Sequence, residues 1–330
     1  MVMIVLCHII KFYTFIPGSQ IYGEFFNVGV EVFLLLSGFL YGKKNIRNFK
    51  SWICKRVKRI WVPVLVVVLI DTIVLAVVFN VHTNWITEIS YIFNLQGILF
   101  INWDFFRNYV TEITNLGPLW FMTIIMICYL MLPLIQNFKN RHTDKKNKKF
   151  IYLAWIIALF LISLFLQLTT KTVTFYFIVF LVGYLLSDLK IDESEFSRIK
   201  TMIYILIVPI MVALRVVLRY FIDGTVVYTS LINIFHSIMG ISLMCLGLEL
   251  YKCFTGIFDK VGHSKIFVFL DGASVYIYLV HGIFCMGVMN VYDRFSITIA
   301  TVVFAVVTLI CAKVLWIITD TINAAIKCRY

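Results

Sequence analysis

The chain has 330 residues, of which 62% are hydrophobic and only 14% are charged, whereas soluble globular domains carry about 25% charged residues. This composition excludes a soluble enzyme, and the 30 phenylalanines and 17 tyrosines exclude a disordered chain. The net charge of +12 would suit a nucleic-acid partner in a soluble protein, but in so apolar a chain it is typical of cytoplasmic loops. We therefore expect a protein embedded in a lipid bilayer, with no nucleic-acid partner.

The chain contains ten apolar runs, most of them close to the roughly 20 residues that cross a bilayer as a helix. They predict an all-α, polytopic transmembrane helix bundle that forms a single domain over 1–330. The first run is short and no basic residue precedes it, so we expect that its N-terminal part is missing from this chain. The runs are 1–16, 25–41, 60–81, 117–137, 150–168, 173–188, 201–221, 226–250, 269–290 and 297–319.

Lysine and arginine are unevenly distributed among the segments between these runs. Segments 42–59 and 138–149 contain eight and six of them, whereas the segments on the opposite side of the membrane contain only Arg107, Lys171 and Arg294. Because basic residues are enriched in cytoplasmic loops, this alternation predicts that both termini are cytoplasmic.

Few ionisable side chains lie inside the runs, and each is a candidate for function because it costs several kcal/mol when left unpaired in a membrane. His8 lies in the first run, Glu31 in the second, and His281 in the ninth, near mid-bilayer. A neutral imidazole is suited to proton transfer near neutral pH. The alternative for each histidine is a hydrogen bond between helices, which involves no chemistry.

Arg215 and Arg219 are four residues apart in the seventh run and therefore share one helical face. They are candidates for binding an anionic group. The alternative is that both side chains extend to the lipid headgroups at the outer surface. The sequence contains no glycine-rich phosphate loop and no HExxH motif, and we expect no metal site.

Four short motifs occur in order along the chain. His8 lies in an apolar first run, and 29–40 (GVEVFLLLSGFL) follows about twenty residues later; KRVKRIWVP covers 55–63, GPLWFM covers 117–122, and SVYIYLVH covers 274–281. In these motifs the chain resembles the integral-membrane acyltransferase family 3, whose polytopic members O-acetylate surface polysaccharides in bacteria. Two family features are absent: the arginine about ten residues before the first-run histidine, and the acidic pair that some branches carry after the tryptophan motif.

The resemblance implies a membrane O-acyltransferase that moves an acetyl group from cytoplasmic acetyl-CoA to a hydroxyl of a cell-surface or lipid-linked polysaccharide. Acetyl-CoA is then a co-substrate, no cofactor is permanently bound, and the protein is a multi-pass protein of the bacterial cytoplasmic (inner) membrane. His8 is expected to be the general base or a transient acyl carrier. His281 is expected to orient the acceptor or relay the proton, and Glu31 to fix the tautomer of either ring.

Two further groups of residues have expected roles in this scheme. Arg56, Lys58 and Arg59 are expected to hold the phosphates of acetyl-CoA. The alternative is that these charges only set the orientation of the chain in the membrane. Trp120 is expected to stack on a sugar ring of the acceptor, and an aromatic belt at the membrane surface accounts for it equally well.

A protein of another class stays open as an alternative. Polysaccharide polymerases and lipid-linked glycan flippases are also long, aromatic and polytopic, and in such a protein Arg215 and Arg219 would bind a polyprenyl pyrophosphate. A transferase consumes acetyl-CoA and adds ester groups, whereas a polymerase changes only the chain length of the glycan. A third hypothesis is a regulatory membrane protein that has lost activity, because the family's N-terminal arginine is absent.

Overall fold

The computed structural model describes residues 1–12, 23, 25–97, 114–141, 148–165, 173–189 and 191–326. These residues contain no strand, in agreement with the all-α prediction. Short 3-10 segments lie at Thr114–Leu119, Ser187–Leu189, Ile191–Glu193, Gly287–Met289 and Val291–Asp293. The α-helices, labelled in chain order, are α1 (Val2–Phe12), α2 (Val28–Gly42), α3 (Phe49–Val78), α4 (Trp85–Ile92), α5 (Trp120–Arg141), α6 (Lys148–Phe165), α7 (Val173–Leu186), α8 (Arg198–Ile222), α9 (Val226–Cys253), α10 (Thr255–Gly262), α11 (Lys265–Cys285) and α12 (Ile297–Ala325).

Within the described residues, six helices are long and apolar enough to cross a membrane, namely α3, α5, α8, α9, α11 and α12. Shorter apolar helices are α1, α2 and α7. The chain is therefore a multi-pass membrane protein. Each of the ten apolar runs overlaps one α-helix, while the number of crossings and the cytoplasmic location of the termini stay predictions.

The chain forms two compact units. Unit 1 consists of Met1–Phe26, Asn48–Tyr129 and Lys265–Tyr330, and unit 2 consists of Asn27–Arg47 and Leu130–Ser264. Unit 1 therefore contains α1, α3, α4, the first part of α5, α11 and α12, and unit 2 contains the remaining helices. The expectation of one domain over the whole chain stays a prediction.

In unit 1, α1 packs against α11, and α12 packs against both α11 and α3. A core cluster at the end of α11 joins Cys285 and Met286 to Phe304 of α12, with Val5 and Ile9 of α1 packed against it. In a bilayer the lipid chains are as apolar as these side chains, so close packing rather than exclusion of water holds the helices together. The cluster sets α1 beside the last turns of α11.

Helix α3 begins well before the predicted run 60–81. Asn48 caps it, because its side-chain oxygen accepts a hydrogen bond from the Ser51 N–H (3.1 Å). The basic stretch before residue 60, which lies outside the predicted run, is therefore helical. Pro63 lies inside the helix, where it has no N–H for the carbonyl of Arg59, four residues earlier.

In unit 2, α2 packs closely against α7 and also against α9. At the first contact a Cβ on Gly183 would lie 2.7 Å from the Cα of Leu35, so a glycine is needed for the two backbones to approach. At the second contact a Cβ on Gly240 would lie 3.1 Å from the Cβ of Glu31. α8 and α9 pack as a hairpin whose short turn contains Gly224 at φ 77°.

Ion pairs hold the connections between helices in unit 2. Lys43, which follows α2, donates a hydrogen bond to Asp192, and Lys139 of α5 pairs with Asp188 (2.7 Å). Partial burial alone would raise the pKa of Asp192, but the hydrogen bond and the charge of Lys43 outweigh it and lower that pKa below the usual 3.8. Both lysines belong to the basic segments that predict the cytoplasmic side.

Candidate functional site

Two histidines far apart in sequence meet in unit 1. Nδ1 of His8 lies 2.8 Å from Nε2 of His281, and the two rings stack with their centroids 5.0 Å apart. His281 is fully buried and His8 is partly buried. Helix α1 supplies one ring and α11 the other, so the packing of these two helices builds the pair. The structure thus brings together two of the three residues predicted to be catalytic.

The backbone of α11 determines which nitrogen of each ring carries hydrogen. Nδ1 of His281 lies 2.6 Å from the carbonyl oxygen of Tyr278. A carbonyl oxygen can only accept, so this nitrogen carries a hydrogen and donates it. In the neutral ring Nε2 of His281 is then an acceptor, and Nδ1 of His8 must be the donor to it. Nε2 of a neutral His8 therefore has no hydrogen and presents a lone pair.

Both rings are neutral at rest because an uncompensated charge inside a membrane is expensive. Among the described residues, no carboxylate pairs with either ring and no group forms a hydrogen bond with Nε2 of His8. This nitrogen is therefore available to accept a proton from a substrate, which is the chemistry expected of a general base.

Aromatic rings pack beside the histidine pair. Tyr278 lies next to His281, with 5.4 Å between ring centroids, and donates its hydroxyl hydrogen to the carbonyl of Pro118. Phe121 packs edge-on against Tyr278 (5.8 Å), and Trp120 packs edge-on against Phe121 (6.1 Å). Trp120, predicted to stack on a sugar, thus lies two aromatic rings away from His281.

The 3-10 segment Thr114–Leu119 approaches α11 at Gly282, the residue after His281. A Cβ at Gly282 would lie 2.6 Å from the backbone carbonyl oxygen of Asn115. Only glycine permits this contact without a shift of the backbone. The segment therefore fixes the position of the turn of α11 that carries His281.

Helix α11 ends earlier than the predicted run 269–290. It ends at Cys285, and the next segment contains Gly287 in a left-handed conformation, with φ 64°. His281 therefore lies four residues before the helix end, about 6 Å along the axis. The expectation that His281 lies near mid-bilayer stays a prediction.

Arg56, Lys58 and Arg59 all lie on α3 in unit 1, but they differ in their contacts. The guanidinium of Arg56 lies over the ring of Trp52, 5.6 Å from its centroid. Lys58 donates a hydrogen bond to the carbonyl of Ile326, just after α12, where helices leave their last carbonyl groups without internal partners. Lys58 therefore caps α12, and the expectation that the three residues hold an anionic donor stays a prediction.

Glu31, the third residue predicted to be catalytic, lies in unit 2 beside a different histidine. Its Oε1 is 3.6 Å from Nδ1 of His236, and Nε2 of His236 is 2.7 Å from Nη1 of Arg215. All three side chains are at most 4% exposed. Since arginine only donates, Nε2 of His236 accepts and its Nδ1 hydrogen is directed at the carboxylate. Within unit 2 the ring beside Glu31 is therefore His236, and the expectation that Glu31 fixes the tautomer of His8 or His281 stays a prediction.

Arg215 and Arg219 lie in different environments although they are four residues apart on α8. Arg215 is buried against His236, whereas Arg219 is 36% exposed and pairs with Asp223 (3.4 Å). Arg215 is therefore too buried to extend to the lipid headgroups. The expectation that the two arginines bind an anionic group stays a prediction.

His236 was not among the residues predicted from the sequence, and the signal that points to it is its position in the α8–α9 hairpin. Arg215 lies nine residues before Gly224, and His236 lies twelve residues after it. The two therefore fall at similar depths on adjacent helices. A buried arginine needs a polar partner at its own depth, and Asn233 and His236 are the buried polar residues of α9 near that level.

Comparisons with known proteins support the resemblance seen in the motifs. A family model described as an acyltransferase domain, that of acyltransferase family 3, matches residues 1–317. Neither the comparison with curated proteins nor the comparison with solved structures found a match. The matched range includes His8, His281 and all four motifs.

Proposed function

This chain belongs to acyltransferase family 3, and on that premise we propose that it transfers an acetyl group from acetyl-CoA to a hydroxyl of a cell-surface or lipid-linked polysaccharide. The family and the apolar helices make the chain a membrane acyltransferase. The observation that carries the finer proposal is the hydrogen-bonded pair of His8 and His281, which leaves a lone pair on Nε2 of His8. The glycan acceptor and the bacterial inner membrane rest on the resemblance of the motifs.

His8 acts as the general base. Its Nε2 takes the proton of the acceptor hydroxyl while the oxygen attacks the carbonyl carbon of the thioester. The carbon–sulfur bond then breaks, CoA leaves as a thiolate, and the proton on Nε2 passes to the sulfur. The products are the acyl ester and CoA with a free thiol. In the alternative order, Nε2 itself attacks the thioester and carries the acyl group until the hydroxyl accepts it.

His281 orients His8 and stabilises the charge that forms on it. Its Nε2 accepts from Nδ1 of His8, so the lone pair on the other nitrogen of His8 keeps one direction. When His8 takes up a proton, this hydrogen bond becomes charge-assisted, which makes it roughly twice as strong as a neutral one. The pair therefore interacts more strongly with the transition state than with the resting substrate.

Arg56 and Arg59 are the residues that best suit the anionic phosphates of acetyl-CoA. Arg59 and the carboxylate of Asp320 on α12 both act electrostatically on the hydroxyl of Tyr276, the carboxylate more strongly. Tyr276 precedes His281 by five residues on α11, which is about 7.5 Å along the helix axis. A donor held at Arg59 therefore needs to extend its thioester only a short way along α11 to reach the histidine pair.

The acceptor approaches from the other end of α11. His281 lies near the end of α11 that the charge distribution predicts to face outwards. A surface or lipid-linked glycan on that side reaches the pair without crossing the whole bilayer. Trp120, at the start of α5 and two rings from His281, is then in a position to stack on a sugar ring.

The test uses His8→Asn, because the asparagine amide keeps a donor where Nδ1 of His8 was but supplies no base. Surface glycan is compared by mass spectrometry between cells with and without the gene, before and after mild alkali, which removes O-acyl esters. The wild type should add an alkali-labile acetyl mass, and His8→Asn should reduce this at least about 100-fold. His82→Ala, at an exposed histidine between α3 and α4, is the matched control and should acetylate normally.

Normal acetylation in cells that carry His8→Asn would refute the role of His8. If removal of the gene changes only the length of the glycan, or stops it from reaching the surface, the transferase proposal is wrong. The polymerase or flippase hypothesis would then account for the chain better.

A further inference from the structure

A cavity of about 150 Å³ lies in unit 2, among α2, α7 and α9. Helices α7 and α9 each pack against α2, and all three contribute to the cavity wall. Leu35 of α2 and Val179 of α7 form its inner wall and are 0% and 2% exposed. Ile234 and Ile238 of α9 also line it and are only half-buried. The cavity therefore opens at the surface beside α9.

The wall of this cavity is unsuited to water. Ser237 is the polar residue among its described lining residues, and the Ser237 hydroxyl donates to the carbonyl of Asn233 (3.0 Å). A buried water molecule needs roughly two to four polar partners, whereas an apolar cavity of about this volume stays dry and binds a guest such as benzene. A guest that fills the space also gains dispersion contacts with the wall. The cavity is therefore suited to an apolar ligand.

The cavity lies about halfway along all three helices. Leu35 is the central residue of α2, and Val179 and Ile238 lie close to the centres of α7 and α9. Helix α9 is long and apolar enough to cross a membrane, so its centre lies deep in the hydrocarbon core, which is roughly 30 Å thick. Water is absent from this layer. Lipid chains that start at either surface end at this depth, after about 15 Å.

We propose that the cavity binds the terminal part of the hydrocarbon chain of a membrane lipid. The volume suits about six carbon atoms, the number in benzene. The depth of the cavity, its apolar wall and its opening beside α9 select this ligand, because chain ends are the material that the bilayer supplies there. The site needs no acceptor and no acyl donor, so it is independent of the proposed acetyl transfer.

A chain end bound in the cavity supports the contact between α2 and α9 that pairs the buried charges of unit 2. Leu35 lies one turn after Glu31 on α2, and Ser237 follows His236 on α9. A Cβ on Gly240 would lie 3.1 Å from the side chains of both Leu35 and Glu31. The Leu35 side chain is therefore held between α9 and the cavity. A ligand that fills the cavity keeps it against α9, and with it Glu31 beside His236.

The test places the full chain in phosphatidylcholine vesicles that contain a photoreactive lipid. One hydrocarbon chain of this lipid carries a diazirine, which loses N₂ in light and leaves a carbene that inserts into nearby C–H bonds. One probe has the diazirine at the chain end, and a matched probe has it beside the ester group. Mass spectrometry of the peptides then locates the label. The chain-end probe should label Leu35 and Val179, which lie on the inner wall, and the ester-side probe should label neither.

Ser237→Leu places a larger apolar side chain in the cavity and should abolish labelling of Leu35 and Val179. Labelling of Ile205 should not change, because this residue of α8 is 51% exposed and contacts lipid in either case. Ser230→Leu is the matched control, since it makes the same replacement on α9 outside the described lining of the cavity. This control should label as the wild type does.

Three results would overturn the proposal. If the chain-end probe labels Ile205 in the wild type but neither Leu35 nor Val179, no lipid chain enters the cavity. If the two probes label the inner wall equally, the ligand is not a chain end. If Ser237→Leu folds and keeps the wild-type labelling, the probe reaches the inner wall by another route. Should Ser237→Leu fail to accumulate, Ile238→Phe fills the same cavity and is used instead.

Discussion

Replacing Arg215 by leucine is expected to destabilise the protein far more than the same replacement at Arg219, one turn later on α8. Arg215 is 4% exposed and donates to His236, which stands between it and the buried carboxylate of Glu31. Removing the arginine leaves that carboxylate buried without its opposite charge. Removing one partner of a buried ion pair costs about 3–5 kcal/mol, and we expect a similar cost where His236 connects the two charges.

The pair of Arg219 and Asp223 is much more exposed, with side-chain exposures of 36% and 52%. A surface pair of this kind contributes less than about 1 kcal/mol. With about 2–4 °C of melting temperature per kcal/mol, the value for domains of 150–250 residues, Arg215→Leu should lower the melting temperature by roughly 6–20 °C. Arg219→Leu should lower it by less than about 4 °C on the same scale.

The assay heats each purified variant in detergent and measures the fraction that stays monodisperse in size-exclusion chromatography. Adding Glu31→Gln to Arg215→Leu removes the charge that has lost its partner, so the double variant should be more stable than Arg215→Leu alone. Equal shifts for the two arginine variants would refute the reasoning, as would a double variant no more stable than the single one.

Two further predictions concern the histidine pair and the ion pair of Asp192. His281→Phe keeps an aromatic ring beside His8, but the phenyl ring cannot accept a hydrogen bond from Nδ1 of His8. The kcat with deacylated glycan should therefore fall about 100-fold, while the KM for this glycan stays the same. An unchanged kcat would contradict the role of His281. Because the pKa of Asp192 is lower in the folded state than the usual 3.8, its pairing stabilises the protein above about pH 4, and this stability is lost as the pH falls through the folded-state pKa. The melting temperature of Asp192→Asn should therefore lie below that of the wild type at neutral pH and approach it in acid. If the difference between the two melting temperatures is the same at about pH 3 and at pH 7, the pairing of Asp192 does not stabilise the protein.

The positions of the helices could be predicted from hydropathy, but several of their ends could not. Helix α3 extends back to a cap at Asn48 because lysine and arginine form helices as readily as apolar residues do. A hydropathy profile detects only the apolar part of this helix. Helix α11 stops at Cys285, although apolar residues continue, because Gly287 has a left-handed conformation. Local hydrogen bonding and backbone conformation set these ends.

The members of the candidate site could be found in the sequence more easily than their partners. His8 and His281 are polar residues in apolar runs that carry family motifs, and both contribute to the pair. The partner of Glu31 could not be predicted. Apolar residues lie on all sides of such a helix, so the sequence does not show which side of the helix faces which neighbour. No sequence pattern distinguishes Asn115, because the burial of its side chain depends on the residues that the fold places around it.

The α8–α9 hairpin also bears on how the chain enters the membrane during synthesis. An arginine within an apolar helix opposes insertion by up to about 3 kcal/mol, so α8 on its own carries a penalty at Arg215. The turn at Gly224 is short, and His236 on α9 provides the hydrogen bond that Arg215 needs at the same depth. The two helices are therefore expected to leave the translocation machinery together, and their polar contact forms as they pass into the lipid.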